Sequence, residues 1–270
     1  MNINRIYFTP TFAGKRIVEV YFEGCNFECL GCVRKRARYV PPEKTEYMSF
    51  DAESILRKIQ ALQPHWIVLG GYEPTIDPEL CSFIEKISGL QLHSWIRLET
   101  NGSQTDMSYA RELKKAGLNE VYLSAYAFDE KKHLYYTKRT NRTTFRAIES
   151  IKEIEDYGFR LTVSPLLIPG INDPEDIEKL AQFVSKIDST TPFHIMPWIP
   201  LPGITEIKEP SKEMAIDAFS KARRYLHIVS EHPIASELEL ITKKKPWRGR
   251  IDTIEFLPES SARVGFEVRR

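Results

Sequence analysis

The sequence contains few cysteines and no long apolar segment. Four of its 270 residues are cysteine, which is too few for a fold of this size to depend on disulfides. No stretch offers the roughly 20 apolar residues of a membrane-spanning helix. The N-terminal segment also lacks the basic start, apolar core and small-residue cleavage pattern of an export signal. We therefore predict a cytoplasmic protein with no membrane partner, in which the thiols stay reduced and available to bind a metal.

Neither sign of charge is in excess. Lysine and arginine total 38, and aspartate and glutamate total 37, a balance that argues against binding nucleic acid by overall charge. Two local basic clusters are present, RKRAR at residues 34–38 and KKKPWRGR at residues 243–250. Solvated surface is their simplest interpretation. If both lie beside one site, they favour an anionic small molecule or a tRNA nucleotide as the substrate.

Short β-branched runs alternate with longer amphipathic segments from residue 16 onward. Strands are predicted for RIVEVYF, WIVLG, SWIRLET, EVYLSAY, FRLTVSPLL and FHIMPW. Five helix-like segments lie between them, and a sixth is predicted at residues 211–231. This alternation predicts an α/β fold with a parallel sheet, either open or curled into a partial barrel. We assign residues 1–205 to this core and residues 206–270, which end in a predicted pair of strands, to an extension packed on it.

Three cysteines lie close together directly after the first predicted strand. Cys25, Cys29 and Cys32 have the spacing C-x3-C-x2-C. Structural zinc sites and ferredoxin-type clusters normally use four protein ligands, so three thiolates leave one coordination position open. One alternative is a zinc site completed by a histidine such as His194 or by Cys81, and unrelated core thiols are another. The spacing does not decide among these interpretations.

Three further motifs follow later strands. LGGYEPT ends the second predicted strand, LETNGS ends the third, and SPLLIPGIND ends the fifth. Together with the cysteine triplet, they resemble the radical S-adenosylmethionine (SAM) superfamily: its GGEP motif, and the TNG and PGxND segments of pyruvate formate-lyase activating enzymes. The resemblance spans about residues 16 to 200 and implies a partial (β/α)6 barrel.

The resemblance also implies an enzyme and its cofactors. In this family three cysteines hold a four-iron, four-sulfur ([4Fe-4S]) cluster, so Cys25, Cys29 and Cys32 would be the metal ligands. Its free iron chelates SAM, and reduction cleaves SAM to methionine and a 5'-deoxyadenosyl radical that abstracts hydrogen from the substrate, an oxidoreductase-like reaction. The residues expected to bind SAM lie on the loops that carry the motifs and on neighbouring strand ends: Gly71, Tyr72, Glu73, Pro74, Glu99, Thr100, Asn101, Ser124, Ser164 and Phe27.

The chain departs from the family pattern at several positions. Gly31 precedes the third cysteine, where the family typically has an aromatic residue that packs on the adenine, and Phe27 is our candidate to replace it. Ser124 and Tyr126 stand where the subfamily often carries an aspartate and a lysine. Ile199 stands in the place of a histidine.

The same resemblance implies partners. The single cysteine cluster and the size of the chain are similar to those of the simplest activating enzymes, which act on a glycine of a glycyl-radical enzyme. An electron donor of the flavodoxin or ferredoxin type is implied as well. Two alternatives stay open: a radical SAM enzyme that modifies an anionic small molecule or a tRNA nucleotide, and a zinc-stabilised binding module. His194 is more simply a core or surface histidine than a catalytic one.

Overall fold

The computed structural model describes residues 1, 3–12, 15–32, 51–198, 206–231 and 254–256. Both basic clusters, Ile199 and all but a short part of the predicted final strand pair lie outside these ranges. The strands of the described part are β1 Ile3–Phe12, β2 Lys15–Phe22, β3 Trp66–Gly71, β4 Trp95–Thr100, β5 Glu120–Ala125, β6 Arg160–Leu167, β7 Phe193–Pro197, β8 Val229–Glu231 and β9 Ile254–Phe256. The α-helices are α1 Ala52–Leu62, α2 Leu80–Gly89, α3 Met107–Lys115, α4 Glu130–Thr137, α5 Arg142–Glu153, α6 Pro174–Asp188 and α7 Lys212–Ala222.

These strands form one sheet in the order β8-β7-β6-β5-β4-β3-β2-β1-β9. Neighbours from β2 to β8 are parallel, whereas β1 pairs antiparallel with both β2 and β9. Each parallel strand lies beside the one before it, so right-handed crossovers place the connecting helices on one face of the sheet. This is the arrangement of the predicted partial barrel, and the six predicted strands correspond to β2 to β7.

The main core lies between the helices and the face of the sheet that they cover. In β2 the residues Val18, Val20 and Phe22 alternate with more exposed neighbours and are fully buried, as the period of two in a strand requires. Helices present their apolar stripes to this face. Asp51 and Asp106 cap the starts of α1 and α3 by accepting hydrogen bonds from backbone N–H groups, which fixes where these helices begin.

Three elements differ from the sequence predictions. Residues 3–12 form β1, for which no strand was predicted. EKKHLYYT forms α4, which was missed because its apolar and polar residues lack a clear helical period. The helix predicted for residues 211–231 ends at Ala222, because Val229–Glu231 instead pairs with the open edge of β7. That prediction was wrong because strand pairing outweighs local periodicity here.

The C-terminal part of the described chain continues the same sheet, since β8 is hydrogen-bonded beside β7. The boundary placed at residue 205 stays a prediction. Among the described helices, none combines the length and the apolar composition that crossing a bilayer requires.

Candidate active site at the carboxyl ends of the strands

The three cysteines lie on a loop, residues 23–32, that directly follows β2; we call it the cysteine loop. Because parallel strands end at the same rim, this loop lies beside those that follow β3 and β4. Cys25, Cys29 and Cys32 are half-buried and form no disulfide. The Cys32 backbone N–H donates to the Cys29 carbonyl at 3.3 Å, which makes the segment from the second to the third cysteine a tight turn.

The cysteine loop is joined through the backbone to residues 71–74, which we call the GYEP turn. The N–H of Glu73 donates to the Gly24 carbonyl at 3.0 Å, and the N–H of Tyr72 donates to the Phe22 carbonyl at 3.2 Å. Gly71 has a φ of +102°, and a Cβ there would lie 2.9 Å from both N and O of Phe22. The glycine of this motif is therefore required so that the turn can pack directly on the end of β2.

The side chain of Glu73 connects the GYEP turn to the end of β4. Its Oε1 accepts hydrogen bonds from Thr75 Oγ1 at 2.5 Å and Thr100 Oγ1 at 2.6 Å, and its Oε2 accepts from the Asn101 N–H at 2.7 Å. The Thr75 N–H is a fourth donor, at 3.2 Å. Glu73 is only 1% exposed. Burial raises the pKa of this carboxyl, while the hydrogen bonds from Asn101, Thr100 and Thr75 oppose the rise.

Asn101 extends this network to the first cysteine. Its Nδ2 donates to Asn26 Oδ1 at 3.0 Å and lies 4.0 Å from Cys25 Sγ. Asn26 Nδ2 donates in turn to Ser103 Oγ at 2.6 Å. The Phe27 backbone N–H also donates to Cys25 Sγ, at 3.3 Å. Donors directed at a sulfur stabilise its thiolate form, which is the form that binds metal.

The opposite side of the cysteine loop rests on α4, the helix that sequence reasoning missed. The Glu28 N–H donates to the Thr137 carbonyl at 3.0 Å, and the Leu30 N–H donates to the Tyr136 carbonyl at 2.9 Å. These carbonyls belong to the last turn of the helix, where intrahelical partners are lacking. The end of α4 is thus a docking surface for the segment between the first and third cysteines.

An aromatic group lies beneath the cysteine loop. Phe27 is 2% exposed, and its ring centroid lies 6.2 Å from that of Tyr126 and 6.0 Å from that of His133. Burial raises the pKa of Tyr126 well above its usual value, and the neighbouring Cys29 thiol raises it further. Tyr126 was noted in the sequence only as a departure from the family pattern, and His133 was not predicted as a site residue, because an isolated histidine carries no sequence signal. The assignment of Phe27 as an adenine contact stays a prediction.

The remaining predicted SAM-binding residues lie at the ends of β4, β5 and β6. The carboxylate of Glu99 lies over Gly70, where a Cβ would be 2.8 Å from Glu99 Oε2. Ser124 and Ser164 are paired in register on β5 and β6. The Ser164 hydroxyl donates to the His194 carbonyl at 3.0 Å, which links β6 to β7.

The PGIND loop after β6 packs against the same region. Asn172 is fully buried, and its Nδ2 donates to the Leu166 carbonyl at 2.7 Å. Gly170 has a φ of +78°, and its N–H donates to Asp173 Oδ1 at 2.8 Å. This tight turn places two isoleucines in a small hydrophobic cluster that also contacts Cys29 and Leu30 of the cysteine loop; its buried members are Tyr136, Ile168, Ile171 and Trp198.

Three thiolates on one loop are the donor set that a four-iron cluster with one open iron requires. Among the residues that the structure describes, no three His, Cys, Asp or Glu side chains are grouped as one ion would require. Cys81 lies in α2 against the main core, and the His194 ring is bonded to a tyrosine of the sheet, with Nδ1 2.9 Å from Tyr122 Oη. A four-iron cluster instead takes each thiolate on a different iron, so its ligands lie further apart. The zinc interpretation is therefore not favoured.

The sheet is singly wound, and three cysteines that form no disulfide lie on one loop at the rim where its parallel strands end, which is the layout of an α/β enzyme core with its site at the strand ends. The family model of the radical SAM superfamily matches residues 20–184. The chain belongs to this superfamily. It is an enzyme whose cofactors are a [4Fe-4S] cluster and SAM, as the sequence resemblance predicted. When bound, the cluster would supply the electron for the reductive cleavage of SAM, and this chemistry would provide the 5'-deoxyadenosyl radical that takes hydrogen from the substrate.

The sequence identity between this chain and individual relatives is low. A protein of Methanocaldococcus jannaschii, provisionally named a glycyl-radical enzyme activating enzyme, is 27% identical over 213 residues, which cover 77% of each chain. The GTP 3',8-cyclase of Aquifex aeolicus is 28% identical over 180 residues, covering 63% of this chain and 52% of the cyclase. This chain thus matches about half of the cyclase. A solved domain of pyruvate-formate lyase-activating enzyme from Bacteroides vulgatus superposes with a TM-score of 0.52 at 16% identity, covering 61% of this chain and 97% of the domain.

Proposed function

We propose that Cys25, Cys29 and Cys32 hold the cluster and that this enzyme installs a glycyl radical on a partner protein. The observation that supports the ligand set is the convergence of three loops. Asn101 contacts the cysteine loop with its side chain and Glu73 with its backbone. The loop that carries the thiols is thereby held against the two motifs that resemble SAM-binding segments of the family.

In this proposal SAM lies over the ends of β3 to β6. The GYEP turn (Gly71, Tyr72, Glu73, Pro74) and the end of β4 (Glu99, Thr100, Asn101) face its methionine part, with Ser124 and Ser164 further along the rim. The set has two carboxylates: Glu99 is half-buried, whereas Glu73 is buried and each of its oxygens accepts a hydrogen bond from the protein. A half-exposed carboxylate is the better partner for the ammonium group of SAM.

We choose a glycyl-radical enzyme as the partner because of a relative that matches this chain over 77% of each length. That relative is provisionally named a glycyl-radical enzyme activating enzyme. The balanced step is the transfer of one hydrogen atom. The C–H bond of a glycine α-carbon breaks, a C–H bond forms at the 5' carbon of deoxyadenosine, and the unpaired electron stays on the glycine. The electron for SAM cleavage comes from a donor of the flavodoxin or ferredoxin type.

The ligand set is tested by replacing each cysteine in turn with alanine. We expect Cys25→Ala, Cys29→Ala and Cys32→Ala each to lose nearly all bound iron and sulfide after anaerobic reconstitution, because three protein ligands are the minimum for a site-differentiated cluster. Cys81→Ala is the matched control and should keep the cluster. Iron and sulfide analysis with electron paramagnetic resonance (EPR) gives the result. A full cluster in any of the three single variants would refute the ligand set.

The substrate class is tested by deuterium transfer. The reduced enzyme and SAM are incubated with an anaerobic extract of host cells grown on α-deuterated glycine, separated into a macromolecular and a small-molecule fraction. We expect deuterium in the 5'-deoxyadenosine produced with the macromolecular fraction, together with an EPR signal of a carbon-centred protein radical. Stimulation of SAM cleavage by the small-molecule fraction alone would contradict the proposal and favour a small-molecule substrate.

A further inference from the structure

An exposed basic surface lies beside the cysteine loop, on α4 and the start of α5. Residues 131–148 contain six lysines and arginines and no aspartate or glutamate, although the two signs of charge balance over the whole chain. Lys132 is paired with Asp176. We call the exposed side chains of residues 131–142 the basic face: Lys131, Leu134, Tyr135, Lys138, Arg139 and Arg142.

The basic face has an apolar centre and a charged rim. Leu134 is 51% exposed and Tyr135 is 59% exposed. Residues three and four apart share one side of a helix, so these two side chains lie between Lys131 and Lys138. The Lys138 ammonium is 5.2 Å from the centre of the Tyr135 ring. This composition is typical of a surface that binds another protein.

Arg139 joins the basic face to the cysteine loop. Its Nε donates to the Asn26 carbonyl at 2.9 Å, and its Nη2 lies 4.0 Å from Glu28 Oε1. The side chains of Arg139 and Glu28 are 51% and 65% exposed. Asn26 directly follows Cys25, and Glu28 directly precedes Cys29. The loop that carries the thiols therefore reaches the surface at the edge of the basic face.

Two charges of the basic face are not explained by the stability of the helices. Arg142 is the first residue of α5, where the helix dipole disfavours a cation, and the first turn has no acidic residue. Its side chain is 82% exposed and 3.6 Å from Glu130 Oε1, and an exposed pair of this kind contributes little to stability. Lys138 has a φ of +61°, a conformation that favours glycine or asparagine. A role outside the helices accounts better for both residues.

The basic face lies on the side of the cysteine loop away from the proposed SAM site. The carbonyls of Tyr136 and Thr137 at the end of α4 contact the loop from this side, whereas Asn101 and the GYEP turn contact it from the other. A substrate glycine must reach the 5' carbon of SAM over the strand ends. An electron needs only a short path to the cluster. A protein bound to the basic face is therefore placed to transfer an electron.

We propose that the basic face docks the electron donor, a small acidic redox protein of the flavodoxin or ferredoxin type. This inference rests on the proposed function, in which the cysteine loop holds the cluster. The docked donor is oxidised by one electron and the cluster is reduced by it, and no bond forms or breaks in this step. Complementary charge speeds the formation of such complexes, whose interfaces are small and transient.

The charge of the face is tested with the double variant Lys138→Glu, Arg142→Glu. Arg139 is left unchanged because it contacts the cysteine loop. With a flavodoxin kept reduced by its reductase and NADPH at low ionic strength, we expect the rate of SAM cleavage to fall by about tenfold or more. Added salt should narrow this difference from the wild type. With photoreduced 5-deazariboflavin, an uncharged small reductant, both proteins should cleave SAM at the same rate.

The matched control is the double variant Arg111→Glu, Lys115→Glu. Both side chains are exposed on α3, and this helix ends at Lys115, at the rim of the sheet opposite the cysteine loop. The same charge is thus reversed away from the basic face, and this variant should keep the wild-type rate with both reductants.

Binding of oxidised flavodoxin is a second measurement that does not depend on activity. Biolayer interferometry at low ionic strength should show an affinity about tenfold lower for the Lys138→Glu, Arg142→Glu variant. The control variant should bind as the wild type does. Equal binding and equal flavodoxin-driven rates in the first variant and the wild type would overturn the docking surface.

The remaining outcomes separate the inference from the function on which it rests. An equal loss of rate with flavodoxin and with 5-deazariboflavin overturns the inference, because the substitutions then act on the cluster and not on the donor. A variant that keeps flavodoxin-driven cleavage but no longer installs the glycyl radical also overturns it and assigns the face to the protein substrate. A wild-type protein that does not cleave SAM with 5-deazariboflavin overturns the proposed function, and the inference falls with it.

Discussion

Glu73 accepts hydrogen bonds from residues of two loops while almost no water reaches it. A buried carboxylate is costly unless donors replace the lost hydration. Here the donors are Thr75 on its own loop and Thr100 and Asn101 at the end of β4. Because each oxygen already has a protein donor, the geometry supports a bracing role for Glu73. It holds the GYEP turn and the TNG segment at a fixed separation below the cysteine loop.

Glu73→Gln should destabilise the protein without changing the size of the side chain. The amide has one accepting oxygen where the carboxylate has two, so its NH2 group must face a buried donor such as the Asn101 N–H. An unsatisfied buried donor costs about 1–3 kcal/mol, and we expect that loss in the free energy of unfolding measured with urea. Glu85→Gln, on the exposed face of α2, should change it by less than about 0.5 kcal/mol. Equal stability of the two variants would show that Glu73 is not a brace.

At the scale of elements, six of the seven parallel strands, β2 to β7, could be predicted because each is a short β-branched run between amphipathic segments. The positions of the cysteine loop, the GYEP turn and the TNG segment (residues 100–102) could also be predicted, because each comes at the end of a predicted strand. The docking of α4 could not be predicted. Its contacts to Glu28 and Leu30 are made by backbone carbonyls. Every residue has such a carbonyl, so the sequence does not show which ones make these contacts. The close packing of Trp198 on Gly31 was equally hidden, because it joins positions far apart in the chain.

An ion pair fastens α4 to α6. Lys132 Nζ lies 2.6 Å from Asp176 Oδ2, and the Asp176 side chain is only 3% exposed whereas that of Lys132 is 38% exposed. Removing the lysine leaves a buried carboxylate without its partner. Part of the cost is recovered by water that reaches the exposed end of the pair. The pair therefore matters more for where α4 lies than for the stability of the whole sheet.

Lys132→Met should loosen the cysteine loop from a distance. We expect a loss of about 1–2 kcal/mol in the stability of α4, seen as faster hydrogen exchange of the Glu28 and Leu30 amides, which donate to the end of that helix. Lys131→Met, at an exposed neighbouring position, should leave both amides protected. If these amides exchange as slowly in Lys132→Met as in the wild type, α4 is not held in place by this pair.

At the scale of the whole molecule, the described residues form two separate hydrophobic clusters. The large one joins the strands and helices and includes buried residues from β1 to β8. The small one contains Tyr136, Ile168, Ile171 and Trp198, and Cys29 and Leu30 pack against it. Cys29 of the loop therefore packs on the small cluster, whereas Cys81 packs on the large one. The loop that we propose to hold the cluster is thus separate from the packing that holds the sheet together.

This separation predicts that the protein folds without its cluster. The triple variant in which Cys25, Cys29 and Cys32 are all replaced by alanine should keep the wild-type circular dichroism spectrum and a cooperative unfolding transition, because the large hydrophobic cluster is untouched. Its hydrogen exchange should rise in the cysteine loop and at the end of α4, while the amides of β3 to β6 stay protected. A small metal-dependent module behaves differently, since metal binding supplies much of its folding free energy. A triple variant that unfolds without a cooperative transition would place this protein with such modules and contradict the two-cluster description.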